Sequence, residues 1–394
     1  MSNEIHIAII GGGVVGCAIA WELSKLYKDI YVFEKNPGVT QGENQSSRNS
    51  GVIHSGIYYD QETRPQKAAL CTEGNSLLYG FCRRYKVPAL KTGKLIVATN
   101  GEEEDFFDIY LERARQNFVP DVEKISGTKA KELEPNIKAR SALLIPSSGI
   151  VEPTSLVYRL HTLASQEGVQ FITSTEVVDL EEDSGSVRLG ICYRDGNMDE
   201  LRAKVVINAA GVDADRLARF FNPQSPYELD PVRGESYKFY GHKRPELRLN
   251  GMNIYPTPES VITPHGQHFT VGIHLTPSFG EHSYPPTLDS TVIVGPKLVP
   301  VEDRTSWSGT PVPAKIFSEK VARFFPDIRE EDLVWHQAGL QARLKKYPDF
   351  IVNADSSQPN FINLLGIDSP GLTSCLAIAR QVAKMVNGLG LKKI

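Results

Sequence analysis

The stretch IHIAIIGGGVVGCAIAWEL, residues 5–23, decides the fold. Residues 5–10 form a short apolar run rich in β-branched side chains, the pattern of a buried parallel strand. Gly11, Gly13 and Gly16 follow in G-x-G-x-x-G spacing. Val15, Ile19, Leu23 and Leu26 then recur at helical intervals, so a helix begins inside the glycines. A second apolar strand, residues 30–33, ends in Glu34. Each residue type has a task in holding a dinucleotide. Gly11 permits the tight turn, Gly13 lets the backbone approach a pyrophosphate on the helix N-terminus, and Gly16 allows close helix–strand packing. Glu34 can accept hydrogen bonds from a ribose diol. The stretch by itself leaves NAD and FAD both open.

The rest of the chain bounds the setting. At 394 residues it is long enough for two domains. A net charge of −4 gives no basic footprint for nucleic acid. The five cysteines (Cys17, Cys71, Cys82, Cys192, Cys375) are scattered and form no C-x-x-C pair. That excludes a disulfide framework and a metal site, so no metal is expected. No secretory signal is expected ahead of residue 5, and no apolar run spans a bilayer. The expected location is cytoplasmic, with peripheral contact at the cytoplasmic membrane face left open.

After Glu34 the chain enters a polar loop, NPGVTQGENQSSRNS at 36–50, whose hydroxyls, arginine and backbone N–H groups suit a second contact with a pyrophosphate. Helices are expected over 66–85, 102–117, 126–133, 154–167 (capped by Thr154), 319–325 and 372–386, and one from Asp213. Strands are expected at 94–99, 169–180, 204–208 and 361–365. Between 222 and 326 prolines and short β-like runs (236–240, 252–255, 268–273, 290–294) suggest an antiparallel sheet inserted into the α/β frame. Two further strand–loop–helix junctions follow, at Ala210-Gly211 and at Gly366 to Gly371.

The motifs GGGVVG, SSRNSGVIHSGIYY, VINAAGVDADRLA and GIDSPGLTSCLAIA together resemble FAD-dependent oxidoreductases of the D-amino-acid-oxidase superfamily. Within it RNSGVIHSGIYY, TGKLIVAT, GIVEP, PVRGESYK, NIYPTP and GIHLTP resemble the L-2-hydroxyglutarate dehydrogenase/oxidase group. The resemblance implies an α/β fold. A discontinuous Rossmann-like FAD-binding domain (1–85, 150–215, 330–394) would carry an inserted antiparallel-sheet substrate domain (86–149, 216–329). It implies non-covalent FAD held by Gly11, Gly13, Gly16, Glu34, Lys35, Ser47, Arg48 and Asn49. Val177, Ala210, Gly211, Gly366, Asp368, Gly371, Leu372 and Thr373 would line the cofactor. In many relatives an arginine of a G-x-R-type motif pairs with the substrate carboxylate. Gln341 stands at that place here. Arg343, two residues on, would share its face if the strand continued.

The activity so implied is oxidation of L-2-hydroxyglutarate, or a close 2-hydroxy acid, to the 2-oxo acid, with oxygen, a quinone or another carrier as electron acceptor. Such chemistry needs a base and cations for carboxylate. His54 is the candidate base and His274 the second, each with the alternative of a packed polar histidine. His265, His268 and His336 read as background. Arg233, Lys67 and Arg343 are candidates for carboxylate binding, with Tyr58 and Tyr255 as hydroxyl donors and Lys94 ranked after them. Alternatives are an amine or amino-acid oxidase of glycine/sarcosine type, a glycerol-3-phosphate dehydrogenase, and a FAD-holding subunit with no reaction of its own. The loop after Glu34 and the C-terminal junction disfavour an NAD enzyme.

Overall fold

The computed structural model describes residues 4–263, 266–280, 284–301, 304 and 309–393, with the main chain alone over 259–270. Two eight-stranded sheets organise the chain. The first is built on Glu4–Ile10, which lies parallel between Ile30–Glu34 and Met198–Asn208. Gln170–Thr173 extends one side and Phe361–Leu365 the other, both in parallel. An antiparallel meander (Thr175–Asp183, Ser186–Tyr193, Met198–Asn208) and the hairpin partner Ile351–Ala354 complete it.

Alternation along the first strand explains its unbroken apolar run. Ile7 and Ile9 pack with Cys17, Ile19 and Leu23 of the helix Val14–Ser24 and with Ile378 and Val382 of the final helix Gly371–Gly388. Ala8 and Ile10 face the other way, with Leu189, Val206, Leu217 and Phe361. The glycine turn between strand and helix has no room for side chains. An added Cβ on Gly16 would stand 1.9 Å from the Gly11 carbonyl oxygen. Gly11 itself has φ +106°, and its Cβ would meet the Ala209 carbonyl at 2.4 Å.

The second sheet runs in the spatial order Leu333–Gln341, Val232–Tyr240, Leu288–Pro300, His274–Phe279, Asn253–Pro256, Lys94–Ala98, Ser141–Ile145, Glu123–Ser126. It is antiparallel except where Asn253–Pro256 and Lys94–Ala98 run parallel. Its core joins Leu95, Val97, Phe239, Leu275 and Val294 to Phe317, Val321 and Phe325. Residues 333–341, assigned on sequence to the cofactor domain, are the last strand of this sheet, because they pair along their length with Val232–Tyr240. A small sheet of Val52–Ile53, Gly149–Val151 and Ala89–Leu90 lies outside both.

Other local expectations shift. The helix expected over 319–325 is Ala314–Val321. The helix Pro153–Gln166 is capped by the Glu152 carboxylate, which accepts from the Thr154 and Ser155 amides, and not by Thr154. The run 169–180 breaks at Ser174, whose φ of +52° separates two strands. Among the described residues no helix is long and apolar enough to cross a membrane, and no cluster of ligating side chains could hold a metal.

Candidate active site

A cleft of about 410 Å³ runs along the carboxyl ends of the parallel strands. Its walls come from the three strand–loop–helix junctions that the sequence marks. Gly11, Gly13, Glu34, Lys35, Asn49, Val177, Ala210, Gly211, Asp368, Gly371 and Leu372 line it together. The helix Val14–Ser24 starts at Gly13, which has no side chain of its own to cap it, and Gly13, Val14 and Val15 line the cleft, so its N-terminus is presented there. An added Cβ on Gly211 would meet nothing within 4 Å, leaving bare backbone at that wall. These features fit an elongated dinucleotide whose pyrophosphate lies against backbone. Lys35 reaches across the mouth to Asp213 at 2.9 Å and Glu43 at 3.4 Å. Burial works against its charge, but the two carboxylates hold its pKa above the usual lysine range.

Glu34 has a local duty besides any ribose. Its carboxylate accepts from the Gly12 amide at 2.7 Å and from the Asn36 amide and side chain at 2.8 and 2.7 Å. The acid therefore ties the glycine turn to the loop after the second strand.

Five of the expected cofactor residues do not line the cleft. Gly16 packs on Gly11, and Gly366, at φ +68°, makes the turn after Phe361–Leu365. The Ser47 hydroxyl bonds to Thr40 and Asn44. Arg48 donates to the Ala338 and Gly42 carbonyls. Thr373 turns its hydroxyl to the loop carrying His54. Ser46, one of the loop hydroxyls expected to suit a pyrophosphate contact, is on the cleft wall, and its Oγ accepts from the Val14 amide at 3.0 Å beside Gly13. Sequence reasoning did not single out Gln45, Arg216 or Arg304, and Ser369 falls within the Gly366 to Gly371 junction that it did mark; all four are on the cleft wall. The serine pair at 46–47 was a visible signal. Arg216 follows the Ala210-Gly211 junction within VINAAGVDADRLA, whereas Arg304 carried no signal, being brought in from a distant element.

Beside the cleft lies a buried polar cluster. Ser369, on the cleft wall, has its hydroxyl 3.3 Å from Nε2 of His54. The His54 ring adjoins Tyr58 at 6.5 Å, and Tyr58 adjoins Tyr255 at 6.3 Å. Tyr255 stacks on His274 at 3.8 Å. The Lys94 amine lies 3.8 Å from the Tyr255 ring centre and 5.0 Å from that of Tyr58. His54 Nδ1, Tyr58 OH, Lys94 Nζ, Tyr255 OH and His274 Nε2 are all buried without a hydrogen-bond partner among the described residues. Such a concentration of unsatisfied groups is the mark of a site built for a polar ligand. Burial, with Lys94 and His274 nearby, holds the His54 pKa well below 6.5, and burial with Lys94 brings His274 down to about 3. Both imidazoles are therefore neutral at pH 7. Burial also brings Lys94 down to about 7.

The other candidates are engaged elsewhere. Arg233 pairs with Glu235 at 2.6 Å and donates to the Thr310 carbonyl. Lys67 pairs with Asp368 at 2.7 Å, bracing the loop before the final helix. Gln341 lines the cleft, but its strand ends there and the Arg343 amide bonds back to the Gln341 carbonyl. Strand alternation therefore does not carry Arg343 onto the face of Gln341. Arg343 lies past the strand and is not on the cleft wall. His336 is half-buried in the second sheet. His265 and the side chain of His268 lie outside the described residues. Cys17 donates to the Gly12 carbonyl, and neither it nor Cys375 lines the cleft.

The comparisons with known proteins agree with this geometry. Residues 6–385 match the family model described as FAD dependent oxidoreductase. An L-2-hydroxyglutarate dehydrogenase of Arabidopsis thaliana is 30% identical over 97% of this chain and 83% of its own. A glycerol 3-phosphate dehydrogenase of Caloramator mitchellensis is 29% identical over 98% of this chain and 74% of its own. Among solved structures, the L-alpha-glycerophosphate oxidase of Mycoplasma pneumoniae with FAD bound superposes with a TM-score of 0.84, at 26% identity, covering 98% of this chain and 95% of that one. The cleft, its glycine turn and the full-length family match lead to one conclusion: this chain is an enzyme of the FAD-dependent oxidoreductase family, with FAD as its cofactor.

Proposed function

We propose that this enzyme oxidises L-2-hydroxyglutarate, or a close 2-hydroxy acid, to the 2-oxo acid. The supporting observation is the buried cluster next to the cleft: an amine, two neutral imidazoles and two phenols, with no carboxylate acting on them among the described residues. It suits an anionic substrate that must lose a hydroxyl proton. In the tautomer whose Nε2–H donates to Ser369, the lone pair of His54 Nδ1 is free to take that proton. Bound FAD supplies a two-electron oxidant that accepts hydride from the α-carbon. An ammonium substrate of the glycine or sarcosine type would meet Lys94 and find no counter-charge. Glycerol 3-phosphate is the second reading, favoured by the Caloramator relative and the Mycoplasma structure, since a phosphate suits the same amine.

The test is anaerobic mixing of the yellow protein with L-2-hydroxyglutarate, D-2-hydroxyglutarate, glycine, sarcosine and glycerol 3-phosphate in separate cuvettes. The expected result is bleaching of the oxidised-flavin band by the L-hydroxy acid alone. Bleaching by glycerol 3-phosphate or an amine instead overturns the reading. Reoxidation by air, set against reoxidation by a quinone, then identifies the acceptor.

A further inference from the structure

Lys94 opens the strand Lys94–Ala98 and is 0% exposed. Its main chain is held in register with Ile145 on one side and Asn253 on the other. The groups around its amine come from four other elements: His54 and Tyr58 from the loop after Val52–Ile53, Cys71 from the helix Pro65–Tyr85, Tyr255 from Asn253–Pro256 and His274 from His274–Phe279. None of them brings a negative charge at neutral pH, because burial pushes the Cys71 thiol and the Tyr58 and Tyr255 phenols upward. An ammonium removed from water with no counter-ion is unfavourable in a folded protein. The aromatic faces of Tyr255 and Tyr58 offset only part of this. Apolar residues of similar size would pack as well, so a ligand is the reason to keep an amine there.

We propose that Lys94, with the hydroxyls of Tyr58 and Tyr255, forms an anion subsite that receives a carboxylate of the substrate, and that the amine takes up a proton from solvent as the acid binds. This rests on the hydroxy-acid reading above. The amine's lowered pKa, about 7, agrees with the geometry: it is half neutral near pH 7 and mostly neutral above it. An arriving carboxylate favours the charged form, so one proton is drawn in with each acid bound. Affinity for the acid therefore falls as pH rises above about 7, by up to about tenfold per pH unit for one linked proton.

The probe is glutarate, which has both carboxylates of the proposed substrate and no hydroxyl to oxidise. The oxidised holoenzyme is titrated with glutarate, following the perturbation of the flavin band. Proton uptake is read at the same time with an indicator dye in weak buffer at about pH 8, the side on which a group of pKa about 7 is neutral. The wild-type enzyme is expected to bind with uptake of close to one proton and with weakening affinity as pH rises. Lys94→Met should weaken glutarate by about 30-fold, the scale of one charge-assisted hydrogen bond in a dry site, and abolish the uptake. It should also raise the melting temperature, which a merely structural lysine would not do. Lys94→Arg, which cannot lose its charge, should bind glutarate with no proton uptake.

Wild-type affinity in Lys94→Met, uptake that persists there, or no glutarate binding to the wild-type enzyme overturns the subsite. Bleaching by L-2-hydroxyglutarate is read on the same preparation. Bleaching with no effect of Lys94 on glutarate overturns the subsite alone. No bleaching, with Lys94-dependent glutarate uptake, overturns the substrate reading alone.

Discussion

The hydroxyl of Thr373 accepts a hydrogen bond from the main-chain amide of His54 at 3.0 Å, joining residues 319 apart in the sequence. Thr373 lies in the first turn of the final helix, whose start lines the cofactor cleft. The same helix start thus borders the cleft and sets the height of the loop that carries His54. The His54 carbonyl is held from the other side by the Asn75 amide at 2.8 Å. Thr373→Val should leave the His54 amide buried and unpaired, at a cost of about 1–3 kcal/mol. A melting-temperature loss, together with a slower flavin reduction that Thr373→Ser restores, is the expected outcome. Equal melting and reduction in Thr373→Val would show that this hydrogen bond has no part in holding the loop.

His54→Ala should keep the yellow colour and lose the flavin-reduction rate by ~10²-fold or more, the usual size of a general-base contribution. Stopped-flow reduction under anaerobic conditions reads this directly. An unchanged rate removes His54 from the proton transfer.

Stability should fall on acidification from about pH 6.5. His274 is buried and His54 half-buried with its Nδ1 out of water, both in neutral form, with pKa values held down mainly by desolvation, His274 to about 3. In the unfolded chain each titrates near 6.5. Below that value the unfolded state binds protons that the folded state refuses, so stability rises with pH through this window and is fully present above it. The limit is about 1.4 kcal/mol per pH unit for each histidine. Urea midpoints at pH 7.5 and 5.5 (chosen as about one unit either side of the unfolded value) measure the difference, and His274→Gln should reduce it. A midpoint independent of pH would contradict the burial of neutral imidazoles.

Gly13 and Gly16 should behave differently as alanines. A Cβ at Gly16 would lie 1.9 Å from the Gly11 carbonyl, backbone that cannot yield, so Gly16→Ala is expected to be insoluble or grossly destabilised. At Gly13 the nearest atom is Ser46 Oγ at 3.2 Å, which can move. Gly13→Ala should fold with normal circular dichroism and bind FAD weakly, seen as a reduced ratio of flavin to protein absorbance.

Lys67 and Asp368 form an ion pair with side chains 9% and 11% exposed. Lys67→Met strands the Asp368 carboxylate on the cleft wall and should cost about 3–5 kcal/mol, as removal of one partner of a buried pair does. The double variant Lys67→Met, Asp368→Asn should recover most of that stability. Chemical denaturation of the three proteins decides it.

Residues 5–34 could be read directly because every contact they encode is local. Apolar alternation makes the strand, glycine admits the turn, helical spacing places the apolar face, and the acid sits at the next strand's end. The other two junctions, at Ala210 and Gly366, were legible for the same reason. The sheet that the strand 333–341 joins was not, since its partner Val232–Tyr240 lies about a hundred residues earlier and nothing local names it. Nor could sequence rank Lys94 above Arg233 or Arg343. Arg233 is neutralised by Glu235, and Arg343 lies past the end of its strand, facts that exist only once the sheet is formed.

By itself, then, the sequence determined a dinucleotide-binding α/β frame, through short-range geometry that glycine and β-branched residues enforce. The tertiary structure decided which polar groups share the buried space beside that frame. His54, Lys94, Tyr255 and His274 come from different elements, and their low-dielectric surroundings, which move their pKa values, are made only when the second sheet closes over the loop.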